Sequence, residues 1–255
     1  AVPTFARPTT AITAAEVTIN YVMIDEDARK KIVCVDPNDI PAVAIVDPEL
    51  MYSMPKGLTA ATGMDALTHA IESYITPGAW VMSDMFELKA IEMIAQNLKA
   101  AVDNGKDVAA REAMSQAQYI AGMGFSNVGL GIVHSMAHPL GAFYDTPHGV
   151  ANALLLPYVM EYNAESPAAP KYIHIAKAMG VDTTGMSEAE GVKAAVEAVK
   201  ALSASINIPQ KLHEINVKEE DIPALAVAAF NDVCTGGNPR PTSVADIEAL
   251  YRKAF

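Results

Sequence analysis

His134-Ser-Met-Ala-His138-Pro-Leu-Gly-Ala-Phe-Tyr-Asp-Thr-Pro-His148-Gly149 packs three of the chain's six histidines into fifteen positions. His134 and His138 are four apart, which places both on one face of a helix. Pro139, Gly141 and Pro147 let the chain fold back so that His148 approaches the helix it has left. Asp65-Ala-Leu-Thr-His69 repeats the spacing with a carboxylate and an imidazole. A lone Asp–His pair on a helix is ordinarily a hydrogen-bonded pair and nothing more, and a lone histidine on an amphipathic helix, such as His174, reads as surface or boundary. The cluster reads differently, because its histidines sit in apolar, glycine-rich sequence where buried imidazoles need partners. Four such groups argue for one shared partner. Asp65 with three of the four histidines makes a ligand set for a divalent transition metal, Fe or Zn, and leaves one histidine for proton transfer.

Outward from this stretch, 255 residues that are 51% hydrophobic and 19% charged can bury a large core. A formal charge of -12 with no basic patch excludes non-specific binding to nucleic acid or an anionic membrane surface. The two cysteines, Cys34 and Cys234, lack paired spacing, which suits a reducing compartment, and no apolar run reaches membrane-spanning length. A soluble, cytoplasmic protein acting on a small molecule is expected.

Ala1 to Ala6 reads as a strand entered in mid-domain, so the chain is expected to be a piece of a longer polypeptide. Val17 to Ile24 and Ile32 to Val35 read as the arms of a hairpin joined by the polar Asp25 to Lys31, and Ala42 to Val46 as a short buried strand. Helical periodicity then takes over: Leu58 to Ile75, Asp84 to Val102 capped by Ser83, Val108 to Met123, Val150 to Tyr162, and one entered at Lys171. Three more follow: one opened by a Ser187–Glu190 capping box and running to about Ile206, one ending at Val233, and one from Ser243 to Tyr251. Gly122 to Gly131 superficially matches a dinucleotide-binding glycine loop, but a helical pattern precedes it where a strand is required, so its glycines read as close-packing points. The expected organisation is a β-rich segment over 1–54 and an all-helical region over 55–255.

Pro8 to Glu16, Gly63 to Glu72, Gly124 to Gly149 and Cys234 to Arg240 resemble the signature blocks of the iron-containing (group III) alcohol dehydrogenases, and the likeness runs over essentially the whole chain. The resemblance implies a mainly α, multi-helix, dehydroquinate synthase-like metal-binding domain, preceded by a small β segment left from an α/β dinucleotide-binding domain. It implies Fe²⁺ on Asp65, His69, His134 and His148, with Zn²⁺ the alternative used by glycerol dehydrogenases of similar plan. His138 is then the histidine that is not a ligand, the candidate catalytic proton relay or, on the other reading, a histidine that only orients a ligand. NAD(H) is expected against Thr9, Thr10 and Thr13; Cys234 and Arg240, in the late glycine loop, are candidates to close over that cleft and equally read as a structural loop at the domain edge. The implied chemistry interconverts a small aldehyde and its alcohol or 1,2-diol, of the lactaldehyde and 1,2-propanediol type, in a homodimer. Thr18 and Asn20 are candidates to hydrogen-bond the substrate, and Phe125, Leu130 and Phe143 to form an apolar wall. Two departures from the family pattern, Ile12 in place of Gly and Arg7 in place of an apolar residue, bear on cofactor binding. The other reading of the same residues is a metal-binding helical module without dehydrogenase activity.

Overall fold

The computed structural model describes residues 3–11, 13–25 and 30–255, the side chains of 24, 25, 30 and 31 apart. Ile12, the first two residues of the expected opening strand and the middle of the Asp25 to Lys31 connection lie outside the described residues.

Helix α1 (Lys56–Ile75) is the axis of the molecule. It carries apolar and small side chains on every side, as a helix enclosed by others must, and each residue from Thr59 to Ile75 is buried. α2 (Val81–Asp103), α3 (Val108–Val128) and α5 (His148–Asn163) pack around it. α4 (Ile132–Tyr144) lies against α5, while α6 (Tyr172–Ala178), α7 (Glu188–Ser205), α8 (Ile222–Phe230) and α9 (Val244–Ala254) complete the helical body. One apolar core runs through it, including Met64, Leu67, Ile71, Ile94, Leu98, Met136 and Leu140. Among the described residues no helix is long and apolar enough to cross a membrane.

The β structure is slight. β1 (Phe5–Ala6) pairs in parallel with β4 (Val43–Ala44), and β2 (Asn20–Asp25) pairs antiparallel with β3 (Lys30–Val35), Tyr21 opposite Cys34. The hairpin therefore forms, but β2 starts three residues later than its β-branched content suggests, because Val17 N–H closes a turn onto the Ala14 carbonyl (2.8 Å). Ala14 holds φ 50° in that turn. β4 is shorter than the expected strand and is not buried, Val43 being 41% exposed.

Several boundaries move for local reasons. Ser83 is not the cap of α2: the helix starts at Val81, and the Ser83 hydroxyl accepts from Trp80 N–H (3.0 Å) from inside the first turn. α3 runs on through Gly122 and Gly124 to Gly129, whose φ of +83° ends it, so the glycine-dense segment is mostly helix and is not a phosphate loop. Pro139 sits within α4, and the reversal falls instead at Asp145, in the left-handed region at φ 54°, followed by Pro147. The Ser187–Glu190 and Ser243–Asp246 capping boxes are present. α8 stops at Phe230, short of Val233.

Contacts with α3 help fix the β segment to the helical body. Gln118 Nε2 donates to Glu16 Oε1 (2.6 Å), Ile19 N–H donates to Ser126 Oγ (3.1 Å), and Gly122 is so close to Ala14 that a Cβ there would lie 2.2 Å from the alanine methyl.

Candidate metal centre and adjoining cavity

Asp65 and His69 project from one face of α1, His134 from the first turn of α4, and His148 opens α5 directly after the Asp145–Pro147 reversal. α5 approaches α1 closely because Gly149 lies on the α1 backbone, where a Cβ would come 2.4 Å from the Ala61 carbonyl oxygen. Asp65, His69, His134 and His148 each bring one donor atom to a common point, all within 4.8 Å of one another.

The hydrogen bonding shows that this point suits a cation. Asn152, one turn after His148, directs Nδ2 at Asp65 Oδ1 (2.6 Å), His134 Nε2 (3.2 Å) and His148 Nε2 (3.1 Å). Two amide hydrogens thus face three acceptors, and His69 Nε2 lies 3.1 Å from His134 Nε2. Asp65 Oδ2 and His69 Nδ1 are buried without a hydrogen-bond partner among the described residues. Burial lowers the His69 imidazole against the pull of Asp65, which favours the neutral ring a metal requires. Converging lone pairs with too few protons to satisfy them, in a set of one carboxylate and three imidazoles, fit Fe²⁺ or Zn²⁺.

His138 lies one turn beyond His134, its ring stacked over that of His148 (5.5 Å, 15°). Its Nδ1 is 2.7 Å from Asp232 Oδ2. Burial works to raise the Asp232 carboxyl, but the bond and charge of His138 together with the hydrogen bonds from Cys234 outweigh it and hold the group below its ordinary value. Nδ1–H therefore donates to Asp232, and Nε2 is left as the acceptor. Cys234 follows Asp232 in the chain, its backbone N–H on Asp232 Oδ1 (2.9 Å), and burial with the neighbouring Asp232 charge pushes its thiol up, so it is not a thiolate.

A cavity of about 640 Å³ opens beside the cluster. Its helical wall includes His69, His134, His138, His148, Phe125 and Leu130; its other wall is the hairpin, with Thr18, Asn20, Tyr21, Val22, Val33 and Val35. Phe125 stacks on His69 (4.4 Å, 20°). Thr13 reaches this cavity, whereas Thr9 and Thr10 do not line it.

Two expected members belong elsewhere. Phe143 is 42% exposed: it is nine residues after His134, half a turn out of phase, and faces away from the cluster. Arg240 does not close the cleft but stacks on Tyr162 (4.0 Å) and donates to the Tyr162 carbonyl (2.8 Å), while Cys234 does line the cavity. Arg7 is exposed beside Asp47, at 3.4 Å.

Sequence reasoning missed Glu72, Asn152 and Asp232. Glu72 Oε2 is 2.6 Å from His134 Nδ1 and Oε1 accepts from Val133 N–H (2.7 Å). Glu72 follows Asp65 by seven positions and Asn152 follows His148 by four, so helical spacing already placed both beside ligands. Asp232 has no such signal, being 94 residues from His138.

The sequence profile of the "Fe-containing alcohol dehydrogenase family, C-terminal" matches residues 59–255, and that of "Iron-containing alcohol dehydrogenase" matches residues 1–48. Lactaldehyde reductase of Escherichia coli (strain K12) is 61% identical over 254 residues, covering 100% of this chain and 66% of that protein. NAD-dependent methanol dehydrogenase of Bacillus methanolicus is 44% identical with the same coverage. The crystal structure of a 1,3-propanediol oxidoreductase superposes with a TM-score of 0.97 at 46% identity, covering 99% of this chain and 66% of that one. The chain spans about two thirds of the length of these relatives.

Proposed function

The chain belongs to the iron-containing alcohol dehydrogenase family, and on that premise we propose that it is the metal-holding catalytic part of an NAD(H)-linked oxidoreductase interconverting a small aldehyde and its alcohol or 1,2-diol. The convergence of Asp65, His69, His134 and His148 at the wall of a largely apolar cavity carries this reading. Likeness to lactaldehyde reductase supports a substrate of the lactaldehyde and 1,2-propanediol type, and likeness to an NAD-dependent dehydrogenase supports the cofactor. When bound, Fe²⁺ on these four side chains supplies Lewis acidity toward the substrate oxygen and NAD(H) supplies the hydride equivalent.

The chain's own residues have the remaining tasks. Phe125, Leu130 and the hairpin valines enclose the substrate carbon chain and exclude water, while Thr18 and Asn20 offer hydrogen bonds to a second hydroxyl. His138 Nε2 takes the proton from the alcohol, or returns it to the reduced carbonyl oxygen, and Asp232 stabilises the imidazolium through Nδ1–H. Thr13 is the member of the threonine turn positioned to meet the cofactor from the cavity. Thr9 and Thr10 do not line the cavity and would meet the cofactor only where it extends beyond it. A homodimer in the cytoplasm belongs to the same proposal; apolar side chains exposed on β1, β2 and β3 support the association of two copies.

The test uses the natural polypeptide that contains this chain, prepared anaerobically with Fe²⁺ and assayed for lactaldehyde-dependent oxidation of NADH. Turnover that vanishes on chelation and returns with Fe²⁺ is the expected result. A protein that holds the metal yet leaves NADH untouched with lactaldehyde and other short aldehydes would instead be a metal-binding module without redox activity.

A further inference from the structure

Glu72 is a buried acid, 2% exposed, on the same face of α1 as Asp65 and His69. It bridges to α4 through two adjacent residues: Oε1 accepts from Val133 N–H (2.7 Å) and Oε2 meets His134 Nδ1 (2.6 Å). α4 has Gly131 at its cap position with no side-chain hydrogen bond of its own, so Glu72 satisfies the first turn from another helix. The approach depends on Gly131, where a Cβ would come 2.8 Å from Glu72 Oε1.

The far side of the His134 ring determines which nitrogen carries hydrogen. Asn152 Nδ2, a donor, lies 3.2 Å from Nε2, so Nε2 presents its lone pair toward Asp65, His69 and His148, and Nδ1 carries the hydrogen given to Glu72. His69 differs: its Nδ1 makes no hydrogen bond among the described residues.

We infer that Glu72 is the positioning residue of the metal centre, holding His134 in the ligating tautomer and orientation and thereby setting how tightly the four ligands take a divalent cation. The inference rests on the metal-binding reading above. A carboxylate behind a ligating imidazole raises its basicity and fixes its plane, and removing such a partner typically costs 10–100-fold in metal affinity.

Glu72→Gln has the size of glutamate but replaces one of the two acceptor oxygens by an NH2 donor, so either Val133 N–H or His134 Nδ1–H would face a donor in place of its acceptor. Zn²⁺ and Co²⁺ affinities of the wild-type protein and the variant are measured by chelator competition, with the visible d–d spectrum of Co²⁺ and the melting temperature of the metal-free protein read alongside. A 10–100-fold loss of affinity with an altered Co²⁺ spectrum is expected, beyond any change in metal-free melting. Wild-type affinity and spectrum in a variant that merely melts earlier would reduce Glu72 to a helix cap and overturn the inference. Should Glu72→Gln fail to fold, Gly131→Ala decides: it displaces the carboxylate without touching a ligand, and weaker binding supports the role while unchanged binding refutes it. If the wild-type protein takes up neither ion, the metal reading itself fails and this inference falls with it.

Discussion

Helix α1 and the β2–β3 hairpin are both apolar in sequence, yet they end in opposite environments. Every residue of α1 from Thr59 onward is buried, whereas Tyr21, Val22, Met23, Ile32 and Val35 of the hairpin are 39–58% exposed. The difference is one of neighbours: helices surround α1, while the hairpin touches the helical body along one side and lines the cavity with it. The cation site is thus built where side chains are held from several directions, and the opposite wall of the cavity where they are held from one. Metal binding should be sensitive to changes in α1 and indifferent to changes in the hairpin; substrate preference should show the reverse.

The sharpest way to break that comparison is at the ligands. His69→Ala and Asp65→Ala should abolish tight uptake of Fe²⁺ or Zn²⁺, read by metal analysis after dialysis, while Val22→Ser should leave metal content at the wild-type level. A His69→Ala protein that keeps its metal would remove α1 from the site. Next in size is the packing difference. Leu67→Ala opens a cavity in a fully buried position and should cost about 2–5 kcal/mol of unfolding free energy. Val22→Ala, half exposed, should stay within about 0.5 kcal/mol in the same denaturant titration. Similar losses at both positions would mean that the hairpin is covered in solution, which is also what a dimer through that face requires.

The same contrast explains what could be read from sequence. The helical region was legible from its periodicity, and a spacing of four was enough to put Asp65 beside His69 and His134 beside His138; that His148 joins the cluster and His138 stands apart rested on the family resemblance, because spacing does not separate the histidines. The hairpin was legible as a hairpin, but its start and the burial of β4 were not, since β-branched composition reports a surface that fits a sheet and says nothing of what covers it. Glu72 and Asn152 had the right spacing but nothing to separate them from ordinary polar residues on a helix. Asp232 depended on the fold bringing α8 and its following turn against α4. Phe143 follows the histidines closely in sequence but is half a turn out of phase with them, and Arg240 is drawn away from the cleft by Tyr162, a partner that no sequence spacing reveals.

A smaller effect than that of Leu67→Ala concerns Glu87, which is fully buried on α2 between Ser73 and Gly124 and makes no hydrogen bond through either carboxyl oxygen among the described residues. The Ser73 hydroxyl proton is committed to the His69 carbonyl (2.5 Å), so it is not available to a carboxylate. Burial pushes the Glu87 carboxyl well above its ordinary range, and the folded protein holds it neutral. In the unfolded chain it ionises near ~4.3. The stability this group permits is therefore complete below that value and falls as pH rises toward the folded-state value, because the unfolded state loses a proton that the folded state keeps. Glu87→Gln removes the titration while keeping the shape. Its melting temperature relative to wild type should be unchanged or lower near pH 4 and should climb with pH, reaching about 2–4 °C above wild type by pH 8 if the gain is about 1 kcal/mol. A difference that stays flat from pH 4 to 8 would show Glu87 to be ionised in the fold.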